Sequence, residues 1–287
     1  MVDAKDNTCR TLKIRTLGEF ELCRGDTALS LPATIKACSL LAYLVLHRDC
    51  ACPREQLADL LWPDRTRDKA LHNLSTALWH VRRVISLGNH ILADAQTVQF
   101  NRESDYWLDV EEFQALCSSS LNLISGNADL LIERLERAVA LYRGDFMERF
   151  YDDWCLEERY RLEGFYLEVL QRLVAIHEAL NRPVDALRCA GLLLARDPLR
   201  EEVHRLAMRA YCRLGQRNAA LEQYRRCQEI VWKELGTEPM VETTELYRAI
   251  MEGRLAAGST PDVLVVQVQA RGPSVPLVRS PLDAMTP

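Results

Sequence analysis

The sequence predicts an α+β winged helix at the N-terminus followed by an all-α helical-repeat domain of tetratricopeptide type. Three observations predict it. Residues 12–100 read as short strands, then three amphipathic helices, then a hairpin. From about residue 109 the apolar positions follow only the helical period. Within that helical half, one pattern returns after 34 residues, the tetratricopeptide spacing. A chain of 287 residues, 48% of them hydrophobic, is long enough for two such domains.

Leu12-Lys13-Ile14-Arg15-Thr16-Leu17 and Phe20-Glu21-Leu22-Cys23-Arg24 alternate apolar and polar residues, the period of a half-buried strand. Gly18 separates the two runs. Gly25-Asp26 signals a turn, and Ala28-Leu29-Ser30-Leu31 reads as a third short strand ending at Pro32. At Thr34, a suitable N-cap, the period changes. Ala37, Leu40, Leu41, Leu44 and Val45 recur at helical spacing. Residues 48–53 form a loop or a short strand. A second helix begins near Arg54, buries Leu57, Leu60 and Leu61, and ends near Trp62 because Pro63 disfavours helix before it.

The third helix is predicted from about Thr66 to Ser86, with Leu71, Leu74, Leu78, Val81 and Ile85 as its apolar stripe. Residues 91–94 and 97–100 then make a hairpin around Ala95-Gln96. In a winged helix of this order, the third helix enters the major groove and the hairpin is the wing.

Helices follow at Glu133 to Tyr142, Asp153 to Leu180, Pro183 to Arg196, Leu199 to Leu214, Gln216 to Leu235 and Val241 to Leu255. Leu180-Asn181-Arg182 before Asp185-Ala186-Leu187 matches Leu214-Gly215-Gln216 before Ala219-Ala220-Leu221. Tyr211 and Tyr224 fall where large residues fill the groove between paired helices. We divide the chain into a tail at 1–9, the winged helix at 10–104, the repeat domain at 105–256 and a disordered tail at 257–287.

The formal net charge is −5, but it is unevenly spread. Residues 30–86 carry eight basic and five acidic side chains, a surplus of three where the winged-helix helices lie. No apolar run has the length of a membrane span, and Met1 to Asp6 lack the basic and apolar regions of a signal peptide, so a cytoplasmic location is expected. Ten cysteines are present. Cys38, Cys155, Cys189, Cys212 and Cys227 stand among apolar helical neighbours, as small buried hydrophobes do. Cys50-Ala51-Cys52 has no second cysteine pair to complete a zinc site. No cofactor and no metal are expected.

Several stretches resemble one family. Residues 12–21 resemble the opening of regulators of the Streptomyces antibiotic regulatory protein type. Leu60-Leu61-Trp62-Pro63-Asp64, Ala70-Leu71-His72-Asn73-Leu74 and Leu78-Trp79-His80-Val81-Arg82-Arg83 resemble that family's OmpR-like winged helix. Tyr142-Arg143-Gly144-Asp145-Phe146, the acidic stretch through Trp154, Asp197-Pro198-Leu199-Arg200-Glu201-Glu202 and Glu234-Leu235-Gly236-Thr237-Glu238-Pro239 resemble the bacterial transcriptional activator domain. The likeness covers about residues 10–255 and implies a transcriptional activator. The glycine-lysine phosphate loop of the large family members has no counterpart in this sequence, and the third helix is less basic than in many relatives.

With the stripe facing inward, the opposite face of the third helix carries Lys69, His72, Thr76, Trp79 and Arg83, flanked by Asn73 and His80, with Arg82 nearer the core flank. Arg and Lys pair with guanine or phosphate, Asn with adenine, and Thr touches base edges or a thymine methyl. Arg82 is placed to reach backbone phosphate. Trp79 is the odd member and is expected to pack against the wing or a partner subunit. A plain solvated face is the alternative reading; the adjacent hairpin and the resemblance favour groove contact.

Double-stranded DNA is therefore the expected partner, bound by two copies on adjacent direct repeats, with the repeat domain free for self-association, RNA polymerase or an effector. The alternative is a protein-interaction adaptor whose winged helix does not bind DNA. No enzyme is expected, since no Ser/His/Asp set, carboxylate pair or phosphate loop stands out. His47, His90, His177 and His204 stand on separate elements, and the last two are read as packing residues. Asp152-Asp153 with Glu157-Glu158 reads as a solvated helix face.

Overall fold

The computed structural model describes residues 11–120 and 128–254; the tails expected at 1–9 and 257–287 lie outside them. The first sheet has four strands, in the order Thr27–Ala28, Glu21–Arg24, Leu12–Arg15 and Tyr106–Leu108. Strand β1 (Leu12–Arg15) pairs antiparallel with β2 (Glu21–Arg24), Leu12 opposite Arg24 and Arg15 opposite Glu21. Leu12, Ile14 and Leu22 point into the core, as the alternation requires. Strand β3 is Thr27–Ala28, one residue earlier than expected. The turn after β2 has only two residues, and Gly25 takes a φ of 57°, so pairing resumes at Thr27 opposite Arg24. Strand β7 (Tyr106–Leu108) lies parallel to β1 on the other side and was not expected at all. Three residues carry too little alternation to be read without their partner.

Helix α1 (Ile35–Leu46) starts where Thr34 Oγ1 accepts the Ala37 N–H at 3.1 Å. Strand β4 (Cys52–Pro53) settles the open alternative at residues 48–53: it pairs with β6 (Thr97–Phe100), which pairs with β5 (Ile91–Ala93). The wing is thus a three-stranded sheet rather than a bare hairpin. Helix α2 (Arg54–Leu61) stops before Pro63 as expected.

Helix α3 (Arg67–Val84) buries Ala70, Leu74, Ala77, Leu78 and Val81, while Leu71 is only half-buried. The buried face is therefore rotated from the predicted stripe. Two alanines turn inward because a small side chain lets α3 approach its neighbours closely, a preference that counting large apolar residues overlooks.

Among the described residues the remaining elements are helices: α4 (Asp109–Ser120), α5 (Ala128–Leu141), α6 (Asp153–Ala179), α7 (Pro183–Arg196), α8 (Glu201–Arg213), α9 (Arg217–Leu235) and α10 (Val241–Met251). From α6 to α9 each helix packs on the next, as in a solenoid. The 34-residue repeat appears in the backbone itself. Asn181 and Gly215 adopt φ of 51° and 71°, and behind them Arg182 N–H donates to the His177 carbonyl and Gln216 N–H to the Tyr211 carbonyl.

One core runs from Leu12 to Ala207, joining both halves, and a smaller one holds Met208, Ala220, Tyr224, Leu246 and Ile250. Tyr224 is buried there against Tyr247, with stacked rings 4.2 Å apart, while Tyr211 is half-buried beside them. Asp152 is a correction. It does not sit on a solvated face, because Lys36 Nζ and Ser39 Oγ of α1 both donate to its carboxylate at 2.5 Å. The start of α6 docks on α1, which leaves the Asp152 side chain only 15% exposed. Among the described residues no helix is long and apolar enough to cross a membrane. Cys38, Cys155, Cys189 and Cys227 are buried free thiols, and Cys212 is half-buried.

Candidate nucleic-acid interface

Helix α3 presents Lys69, His72, Thr76, Trp79, Arg82 and Arg83 to solvent. Asn73 and His80 are half-buried, a consequence of the rotated inner face. Between Asp64 and Arg83 five basic side chains stand against two acidic ones. Arg65, Asp68, Lys69, His72 and Asn73 line a shallow hollow of about 360 Å³ at the start of the helix. Arg65 is exposed and was not among the expected contacts; its signal is the basic Arg65-Thr66-Arg67 run just ahead of the helix. Arg67 is committed elsewhere, in an ion pair with Glu55.

Trp79 is 55% exposed, and the ring partners it has are on its own helix rather than in the wing. His80 meets it edge-on at 5.0 Å, and the Arg83 guanidinium lies 5.4 Å from its ring centre. Residues 79 and 83 are one turn apart, so this contact follows from helical geometry. A cation over an exposed indole contributes about 0.5–1 kcal/mol. That is enough to bias Arg83 toward one orientation on the exposed face.

The wing is anchored to this face by a residue that sequence reading missed. Arg54 N–H donates to the Gln96 carbonyl at 2.9 Å, and its Nη2 donates to Ser75 Oγ of α3 at 3.0 Å. One residue thus ties the wing tip, the start of α2 and the outer side of α3. No periodicity or spacing signals it, because its two partners, Gln96 and Ser75, are far from it in the chain. The wing turn is closed by Asp94, whose carboxylate accepts the backbone N–H groups of Thr97 and Gln96, each at 2.7 Å. Those donors hold its carboxyl below the usual range. Between α3 and the wing, buried His90 donates from Nε2 to the Leu87 carbonyl at 3.0 Å and faces Ser104 Oγ with Nδ1 at 2.8 Å. Burial depresses its pKa.

A basic helix face beside an anchored wing, on a helical-repeat body, defines the class: the architecture of a bacterial transcription regulator. Residues 108–251 match the family described as bacterial transcriptional activator domain, and the chain belongs to that family, with the makeup of a Streptomyces antibiotic regulatory protein. Its relatives carry regulator names. The chain is 28% identical over 251 residues to regulatory protein DnrI of Streptomyces peucetius, covering 84% of this chain and 92% of that protein. It is 24% identical to regulatory protein AfsR of Streptomyces griseus over 245 residues, 85% of this chain but 25% of that one. With the transcriptional regulator RedD of Streptomyces coelicolor it shares 26% over 221 residues, 71% and 60% of the two chains. The fold is similar to the solved structure of Mycobacterium tuberculosis EmbR in complex with a low affinity phosphopeptide, with a TM-score of 0.67 at 18% identity over 85% of this chain and 66% of that one.

Proposed function

We propose that this protein is a sequence-specific DNA-binding transcriptional activator working in the cytoplasm. The observation that carries the proposal is the outer face of α3, where Lys69, His72, Thr76, Arg82 and Arg83 stand clear of the core beside a wing pinned by Arg54. Such a helix is shaped for the major groove, and the wing for the flanking backbone. Arg83, steadied on Trp79, is the base-reading candidate; Asn73, His80 and Trp79 serve at the edge of the contact; Arg65, Lys69 and Arg82 supply phosphate contacts. A span from Asp64 to Arg83 with five basic and two acidic residues, of which Arg65, Lys69, Arg82 and Arg83 are exposed and not tied to Glu55, favours DNA over the adaptor reading.

The surplus is small, so one half-site binds weakly and two copies on direct repeats share the load. Residues 10–104 form the reading head, and residues 105–256 serve self-association, polymerase or an effector. The family and the regulator names of the relatives support activation. The test is selection of duplexes from a random library by the intact protein. Enrichment of a motif repeated in the same direction is the expected result; recovery of duplexes with no shared motif would reject the reading.

A further inference from the structure

Helices α5, α6 and α7 bring together three side chains that the regulator reading does not use. Glu136 of α5, His177 of α6 and Cys189 of α7 each place a ligand-type atom within 4.8 Å of the other two. His177 is 2% exposed and Cys189 is fully buried. Neither ring nitrogen of His177 has a hydrogen-bond partner. The nearest carboxylate oxygen, Glu136 Oε1, is 3.7 Å from Nε2, beyond hydrogen-bond reach. A buried imidazole without partners is costly and calls for an explanation. His204, the other buried repeat histidine, has partners on both nitrogens.

The donor set itself suggests the explanation. Tetrahedral zinc ligands, at bond lengths of about 2.0–2.3 Å, stand about 3.3–3.6 Å from one another. The His177–Glu136 separation is already close to that. One thiolate, one imidazole and one carboxylate form a mixed S/N/O set suited to a borderline divalent ion. Carboxylate and thiolate together balance a charge of +2, which suits a buried position. Arg188 also pairs with Glu136 and fixes the carboxylate beside the ring; its side chain is 45% exposed and has room to turn outward.

We propose that Glu136, His177 and Cys189 form a three-ligand binding site for a divalent transition-metal ion of the zinc type, tying together three consecutive helices of the activator domain. On binding, Cys189 loses its thiol proton to solvent and its sulfur bonds the ion, while His177 donates the Nε2 lone pair and Glu136 a carboxylate oxygen. Three protein ligands leave a fourth position for water. The ion stabilises the helical body by mass action, independently of any DNA contact.

The test uses the full chain with cobalt(II) as a spectroscopic probe and zinc as competitor. A thiolate-to-cobalt charge-transfer band, displaced by one equivalent of zinc, is expected. It persists in Cys50→Ser, which removes an exposed thiol elsewhere, and is lost in Cys189→Ser and His177→Gln of unchanged helical content. Absence of the band in the native chain overturns the proposal, as does its survival in Cys189→Ser. Should either variant fail to fold, X-ray absorption of the zinc-loaded native chain decides: a shell of one sulfur with nitrogen and oxygen supports the site, and a shell with no sulfur or several sulfurs rejects it.

Discussion

The carboxylate of Asp109 accepts four hydrogen bonds from the end of β1: from Thr16 N–H at 2.7 Å, from Thr16 Oγ1 at 2.8 Å and from Leu17 N–H at 2.9 Å, with Thr16 N–H shared to the second oxygen at 2.9 Å. Asp109 also opens α4, so one buried side chain joins the N-terminal sheet to the first helix of the activator domain. Met147 N–H adds a bond to the Thr16 carbonyl, and Leu17 bridges to Phe146. The strand end is thereby held by the helical body rather than by a sheet neighbour.

Asp109→Asn keeps the volume but replaces an acceptor oxygen by a donor facing N–H groups. We expect a loss of about 2–4 kcal/mol in urea unfolding, the scale of breaking buried bonds to a charged group. Burial already pushes this carboxyl up against the pull of its donors, so the site has little margin. A loss under about 0.5 kcal/mol, the level of an ordinary surface change, contradicts the account.

Arg83→Ala is expected to weaken binding to the selected duplex by about 1–3 kcal/mol and to relax preference at one base position. Lys69→Ala should weaken all duplexes alike and lower the salt slope by about one. Fluorescence anisotropy across a salt series separates the two outcomes; identical behaviour of the variants on all duplexes contradicts the base-reading role of Arg83.

The repeat turn offers a backbone test. Gly215 has φ of 71° and nothing within 4 Å of the position a Cβ would take. Gly215→Ala therefore costs about 1 kcal/mol through backbone strain alone. Gly215→Asn costs less, because Asn tolerates the left-handed region and already occupies the equivalent turn at Asn181. Thermal denaturation of the two variants gives the order directly.

His204 is buried and neutral, donating from Nε2 to the Pro198 carbonyl at 3.0 Å and receiving Gln223 Nε2 on Nδ1 at 2.8 Å. Burial lowers its pKa below the ordinary 6.5, as it does for His90. The folded state thus binds a proton less readily than the unfolded one. The stability these histidines contribute is fully present above 6.5 and is lost as pH falls through the depressed values. Melting temperature should drop between neutrality and about pH 5, and His204→Gln should flatten that slope. An unchanged slope in the variant would assign the acid sensitivity elsewhere.

Local order was legible in the sequence. The succession of strands, helices and wing, the Thr34 cap, the stop at Pro63, the bounds of α7 and the 34-residue turn all follow from periodicity, capping and punctuation, which act over a few residues. The exposed side of α3 was legible too, from Lys69 to Arg83. Only the tertiary structure decided how these pieces meet. It supplied β7 to the first sheet, turned Ala70 and Ala77 inward, set Arg54 between wing and helix, paired half-buried Asp152 with Lys36, and converged Glu136, His177 and Cys189. These contacts join residues tens of positions apart. Their energy comes from burial and pairing between elements, and a one-dimensional pattern carries no record of which elements become neighbours.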